Sequence, residues 1–167
     1  MGRPLRLPRA AEPMWPFLIS LLALCAFTSL LRDVRMTGTA AILLANWTLC
    51  TVVVTQTGDS YPWTWFFAVD YLAAFTILTL LGRPSMWQAC VGTIYAAELI
   101  CHAARGLYLH SAAALYYGYY FLKWAAWAQV GVVTAWGICE LSRRRGLFVR
   151  RAPSARAGNA GNHRSRP

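Results

Sequence analysis

The sequence predicts an all-α integral membrane protein, a helical bundle of about five transmembrane helices with short loops and a disordered basic C-terminal tail. Three observations lead to this prediction. Hydrophobic residues make up 57% of the 167 residues and charged residues only 13%, about half the charged fraction of a typical globular domain. The apolar residues form long runs with few or no charges, and the arginines gather near both termini and beside these runs. This arrangement is typical of chains that cross a membrane several times.

Five apolar runs approach the roughly 20 residues that a membrane-spanning helix needs. The predicted spans are residues 14–31, 37–56, 63–81, 86–104 and 119–141, which together form a transmembrane domain over residues 14–141. The short connections between them make consecutive helices antiparallel neighbours. Residues 82–85 are typical of a tight reversal, because Gly82 suits the position after a helix and Pro84 cannot continue one.

Two stretches leave alternatives open. Residues 107–117 are apolar and rich in tyrosine but too short to span, so they predict either an interfacial helix or the overhanging start of the fifth helix. The fifth region could instead form a re-entrant loop or hairpin. The first span follows a basic segment, residues 1–13, and could be a signal peptide, but no convincing small-x-small cleavage site follows it.

The distribution of arginine predicts the orientation in the membrane. One side carries Arg32, Arg35, Arg83 and the eight arginines of the tail, against four on the other side. Eleven against four favours an external N-terminus and a cytoplasmic C-terminus, as in a multi-pass protein of a bacterial inner membrane. The three arginines before residue 10 argue for the opposite orientation.

The basic tail, residues 142–167, has no apolar periodicity and is predicted to be disordered. Its arginines are expected to anchor the topology and to contact lipid head groups. The residues predicted for this contact are Arg143, Arg144, Arg145, Arg150 and Arg151. The expected partners are therefore the lipid bilayer and, in addition, further copies of the chain or other membrane subunits, and we do not expect nucleic acid.

Two acidic residues lie deep inside predicted spans. A charge at bilayer depth costs about 2.5–3.5 kcal/mol, so each needs a reason to be there. Asp70 precedes Gly82 by 12 residues and Glu98 follows Ser85 by 13 residues. At the rise of an α-helix each is roughly 18–20 Å from the shared turn. In an antiparallel helix pair the two carboxyl groups are therefore predicted to lie at the same level.

Other polar residues are predicted to join these carboxyl groups. Glu98, His102 and Arg105 share one helix face, since they follow one another at intervals of four and three residues. Lys123 is expected to enter from the same side of the membrane. Asn46 lies in the middle of the second span, where an amide usually makes a hydrogen bond to another helix.

This cluster permits several interpretations. Asp70, Glu98 and His102 could relay protons or bind a cation, which is the leading hypothesis. Pairing of these residues between helices, which would only fix the helix register, is the simpler interpretation. The spacing of Glu98 and His102 also suits two metal ligands, so a membrane-embedded metalloenzyme is a further alternative. A complete zinc signature is missing, no metal site is assigned, and we expect no cofactor.

Small residues suggest a different kind of function. Gly92 with Ala96, and Gly131 with Ala135, form small-xxx-small pairs of the type that allows helices to approach closely. They indicate close helix contacts, either within the protein or between copies, and the alternative function is a structural or holin-like subunit that acts by oligomerising, without transport chemistry. The tryptophans of the fifth span, Trp124, Trp127 and Trp136, are expected to contact lipid, and the lining of a cavity for an apolar ligand is the alternative.

Overall fold

The computed structural model describes residues 15–57, 63–107 and 112–146, and these residues form helices without any strand. The basic segment before residue 15 and the tail after residue 146 lie outside this description. The helices are α1 (Trp15–Leu30), α2 (Val34–Thr57), α3 (Trp63–Phe75), α4 (Met86–Leu107) and α5 (Ala112–Arg144). A π-helical turn, Thr76–Leu80, follows α3 directly. The fold is thus a bundle of five α-helices.

The fifth helix differs from its predicted bounds. It has 33 residues, begins at Ala112 rather than near residue 119, and continues past residue 141 to Arg144. Residues 112–117 are therefore the start of α5, and no separate interfacial helix or re-entrant loop forms over them. The physical reason is that no proline interrupts this stretch and that a single glycine, Gly118, costs a helix only about 1 kcal/mol.

One apolar core joins all five helices. Side chains from every part of the bundle meet there and are excluded from solvent. We call its centre the apolar layer, which consists of Leu21, Met36, Ile77, Val91 and Val133, each with 0% of its surface exposed. Ile77 belongs to the π-helical turn, so the irregular part of the third helix packs directly into this layer.

Arginines gather at one end of the bundle, which we call the basic end. It comprises the α1–α2 turn, the turn at residues 82–85 and the end of α5. The turns contact each other, because Arg35 Nη1 donates a hydrogen bond of 3.2 Å to the Arg83 carbonyl. The end of α5 joins them, since the Arg144 guanidinium donates to the Leu31 carbonyl. The antiparallel arrangement of the predicted spans therefore agrees with the observed contacts.

The turn at the basic end also starts α2. Asp33 precedes the helix, and its Oδ1 accepts hydrogen bonds from the backbone N–H groups of Arg35 (3.0 Å) and Met36 (3.1 Å). A side-chain cap of this kind is worth about 1 kcal/mol, because the first N–H groups of a helix have no partner within it. Arg32 has φ 52° and allows the chain to reverse between α1 and α2.

Within the described part of the chain, two helices are long and apolar enough to cross a membrane, Val34–Gln56 and Trp63–Leu80. A third apolar helix, Trp15–Leu30, is shorter. Core helices of soluble proteins and signal sequences satisfy the same criterion, so length and hydropathy support association with a membrane only weakly.

Candidate functional site

A cavity of about 710 Å³ lies between the five α-helices. Its lining includes Pro16 at the start of α1, Val54 near the end of α2 and Arg105 near the end of α4. These positions place it in the half of the bundle away from the basic end, which we call the cavity half. Its inner boundary is the apolar core, because Leu21 and Leu43 belong to both. The cavity therefore ends at the apolar layer.

Asp70 connects three helices at the wall of this cavity. Its side chain is buried, with 5% of the residue exposed. Asp70 Oδ2 lies 3.0 Å from His102 Nε2 on α4, and Oδ1 accepts a hydrogen bond of 2.9 Å from Asn46 Nδ2 on α2. The His102 ring stacks on Phe66, with the ring centroids 5.7 Å apart and the planes 16° apart. The acid–imidazole pair is thus held in position from both sides.

Asn46 extends the network into the core. Its Nδ2 lies 3.0 Å from the hydroxyl oxygen of Tyr95, a side chain with 0% exposure. Its Oδ1 accepts a hydrogen bond of 3.4 Å from Cys50 Sγ, one turn further along α2. Asn46 therefore lies between Asp70 and Tyr95 and fixes the orientation of the Asp70 carboxyl group. This role matches the expectation that Asn46 bonds to another helix.

Glu98 has a different environment on the same cavity wall. It is also 5% exposed, and its Oε2 accepts a hydrogen bond of 2.9 Å from Gln129 Nε2 on α5. Its second oxygen, Oε1, accepts no hydrogen bond from the described residues and is not fully enclosed by protein atoms. Since Glu98 lines the cavity, this oxygen is available to a molecule inside it.

The structure brings the predicted polar residues to one place. Asp70, Glu98, His102, Arg105 and Lys123 come from three helices, and all five line the cavity. Arg105 and Lys123 each take part in a further interaction of their own. Their role in transport stays a prediction, but their convergence agrees with the matched depth that helical spacing indicated.

Three polar members of the site were missed by sequence reasoning, namely Gln129, Tyr95 and Cys50. Gln129 is 4% exposed and is the direct partner of Glu98. A neutral amide in an apolar run carries the same signal as Asn46, so it could have been found. Tyr95 precedes Glu98 by three residues and Cys50 follows Asn46 by four, spacings that place each pair on one helix face.

The two small-residue pairs occupy different surroundings. Gly92 is buried, and a Cβ atom at this position would lie 2.9 Å from Leu78 Cδ1. The Gly92 backbone thus packs within its own chain, because its neighbour is the π-helical turn, and it is not available to a second copy. Ala96, Gly131 and Ala135 are exposed, and nothing lies within 4 Å of a Cβ atom at Gly131. Oligomerisation through α5 stays a prediction.

The arginines predicted to contact lipid also differ from one another. Arg144 Nε bonds to Glu140 Oε1 at 2.9 Å, and its guanidinium holds the end of α1, so this residue joins elements of the fold. Arg143 lies 5.6 Å from the ring centroid of Trp136. Arg145 is exposed at the end of the described chain. Arg150 and Arg151 lie outside the described residues.

Aromatic side chains form one wall of the cavity. Phe17 lies 5.0 Å from Trp127 and 5.7 Å from Trp47, measured between ring centroids, and all three line the cavity. Trp127 therefore lines the cavity, which was the alternative to contact with lipid. Trp124 is 69% exposed on the outer surface of the bundle.

Within residues 15–57, 63–107 and 112–146, no group of three or more His, Cys, Asp or Glu side chains could hold a metal ion. The cysteines at positions 25, 50, 90, 101 and 139 are free thiols. Comparison of the sequence with protein-family models, with curated proteins and with solved structures finds no significant match.

Proposed function

We propose that this chain is a multi-pass membrane protein whose five α-helices cross the bilayer. The outer surface of the bundle supports this proposal. Large apolar side chains are exposed on different helices, among them Ile19 (62%), Leu72 (63%), Ile100 (71%) and Trp124 (69%). A soluble protein rarely exposes so much apolar surface, whereas a bilayer covers it without cost.

The basic end supports the proposed orientation, with the C-terminus in the cytoplasm. Arg32, Arg35, Arg83 and the arginines at the end of α5 lie together at that end, and cytoplasmic segments are enriched in arginine. The membrane proposed is a bacterial inner membrane. Its lipids, with further copies of the chain on the exposed face of α5, are the proposed partners.

Cysteine labelling tests this orientation. In a cysteine-free background, Arg83→Cys is expected to react with a membrane-impermeant maleimide only after the cells are permeabilised. The matched variant Thr57→Cys, at the opposite end of α2, is expected to react in intact cells. The reverse labelling pattern would contradict the proposed orientation. Equal reaction of both cysteine variants in intact cells would contradict the proposal that α2 crosses the membrane.

The function that the site supports best is the gated relay of protons or the transfer of a small cation through Asp70, His102 and Glu98. The single observation that carries this proposal is the 3.0 Å contact between the buried Asp70 and His102 at the wall of a cavity. A carboxyl group and an imidazole at this distance can exchange a proton. Buried acidic residues in membrane helices commonly mark such pathways.

The apolar layer supports a gated path rather than an open pore. Beyond Asp70 and Tyr95, the bundle is closed by fully buried apolar side chains, among them Leu21, Ile77 and Val133. Transfer to the basic end therefore requires this layer to open. Ile77 lies in the π-helical turn, and such turns are frequent at functional sites. We assign the movement that opens the path to this turn.

Proton uptake into liposomes tests the proposed relay. With an imposed pH gradient and an enclosed pH-sensitive dye, liposomes containing the protein are expected to equilibrate faster than empty ones. The double variant Asp70→Asn/Glu98→Gln is expected to equilibrate at least about tenfold more slowly than the wild type, because neither amide can take up a proton. The control is Glu140→Gln, near the basic end, which should retain the wild-type rate.

Two outcomes would contradict the relay. The transport function would be contradicted if liposomes with the wild-type protein equilibrate no faster than empty ones, with either protons or an alkali cation as the permeant ion. A double variant as fast as the wild type would remove the assignment to Asp70 and Glu98.

A further inference from the structure

The cavity is far larger than a proton or a bare metal ion requires. Its volume of about 710 Å³ falls within the range of about 300–1,000 Å³ that is typical of pockets for organic ligands. A water molecule occupies only about 30 Å³ in the liquid. The size of the cavity therefore indicates an organic molecule.

The wall of the cavity specifies the body of that molecule. Phe17 contacts both Trp47 and Trp127, and all three rings line the cavity. Leu21 and Leu43 close the inner boundary. Such a wall binds an apolar or aromatic body, and tryptophan rings also attract a cation placed over their faces.

The polar groups specify the sign of the charge. Glu98 is 95% buried and lines the cavity, and its Oε1 accepts no hydrogen bond from any described residue. Both Asp70 oxygens, in contrast, have partners within the protein. Glu98 Oε1 thus has no hydrogen-bond partner among the described residues, and with Glu98 ionised a protonated amine would satisfy it with a charge-assisted hydrogen bond.

The basic residues of the cavity lie further from its inner end. Arg105 follows Glu98 by seven residues on α4, which is roughly 10 Å along the axis. Lys123 precedes Gln129, the partner of Glu98, by six residues on α5, which is roughly 9 Å. Arg105 and Lys123 also take part in other interactions. The acidic groups that line the cavity nearer its inner end are those of Asp70 and Glu98, with His102 beside Asp70.

We propose that the cavity binds an amphipathic organic cation, a protonated amine on an apolar or aromatic body, with its ammonium group on Glu98 and its body against the aromatic wall. This inference rests on the proposed function, since it names the cation that the site takes up. It extends the proposed cations from protons and inorganic ions to organic amines.

Isothermal titration calorimetry on the full chain in zwitterionic lipid nanodiscs tests the proposal. The probes are 4-phenylbutylammonium, 4-phenylbutanol and 4-phenylbutyrate, which share one body and differ in the charge of the head group. After subtraction of binding to empty nanodiscs, the ammonium is expected to bind at least about tenfold more tightly than the alcohol, and the carboxylate most weakly, because the acceptor is a carboxyl group.

Glu98→Gln is expected to weaken the ammonium at least about tenfold and to leave the alcohol unchanged, since the amide keeps the size of the side chain but cannot carry the negative charge. The control Glu140→Gln should change neither. Tightest binding of the carboxylate, equal binding of ammonium and alcohol, or no effect of Glu98→Gln would each overturn the proposal. If Glu98→Gln does not fold, the order of the three probes on the wild type decides alone.

The two experiments separate the two proposals. If proton or alkali-cation flux depends on Asp70 and Glu98 but the ammonium is not preferred, the relay stands and the organic-cation site is rejected. Preferential ammonium binding without such flux would retain the binding site and reject the relay.

Discussion

Replacement of Asp70 by alanine is expected to lower the free energy of unfolding by about 2–4 kcal/mol. The substitution removes the acceptor of a partly buried hydrogen bond from Asn46 and of a buried one shared with His102. A buried donor left without its acceptor costs about 1–3 kcal/mol, and Asn46 retains its contact with Tyr95, which limits the total. Unfolding in mixed micelles with increasing sodium dodecyl sulfate measures the change.

Glu140→Ala is the control for this measurement. It removes an ion pair with Arg144 whose side chains are 26% and 47% exposed, so a loss below about 1 kcal/mol is expected. Asp70→Asn, which keeps the shape and one acceptor, should lie between the two. A loss for Asp70→Ala no larger than that for Glu140→Ala would show that the network around Asp70 does not stabilise the fold.

Replacement of Gly106 by alanine is expected to destabilise the protein by about 1–3 kcal/mol, the usual cost of an overpacked contact. A Cβ atom at Gly106 would lie 2.3 Å from Trp63 Cδ2 and 2.5 Å from Trp63 Cε2. An indole ring is rigid, so either the Trp63 side chain changes its rotamer or the end of α4 and the start of α3 separate. The same unfolding titration measures the effect.

Gly131→Ala provides a matched comparison, because it is the same change within a helix. Nothing lies within 4 Å of its Cβ atom, and alanine is favoured over glycine inside a helix by up to about 1 kcal/mol. This variant is expected to be as stable as the wild type or slightly more stable. Equal stabilities of the Gly106 and Gly131 variants would mean that Trp63 does not pack on Gly106.

The number of helices and their approximate bounds could be predicted from the sequence. Uncharged apolar runs of about 20 residues separated by short polar turns indicate helices, because they are much longer than the strands of a sheet. Gly82 correctly indicated the turn after the third helix, since its φ of 92° is one that residues other than glycine rarely adopt. The start of α5 at Ala112 corresponds to the alternative in which residues before 119 overhang the fifth span, and the sequence could not choose between this and a separate interfacial helix because Gly118 permits both.

The partners within the site could not be predicted in the same way. Sequence spacing placed Glu98 and His102 on one face of α4, but it could not tell which helix that face meets. In the structure His102 reaches Asp70 on α3, whereas Glu98 reaches Gln129 on α5. A difference of four residues along one helix is enough to change the neighbour, because α4 packs between α3 and α5.

The sequence by itself determined that this chain is helical and which polar residues lie deep in its apolar runs, because composition and period are local properties. The tertiary structure decided how these residues pair and that a cavity lies beside them. Helix rotation and approach depend on contacts between distant residues, such as Leu78 with Gly92 and Trp63 with Gly106. Such contacts have no signature in the spacing along one helix, so only the packed bundle places the free oxygen of Glu98 in a cavity.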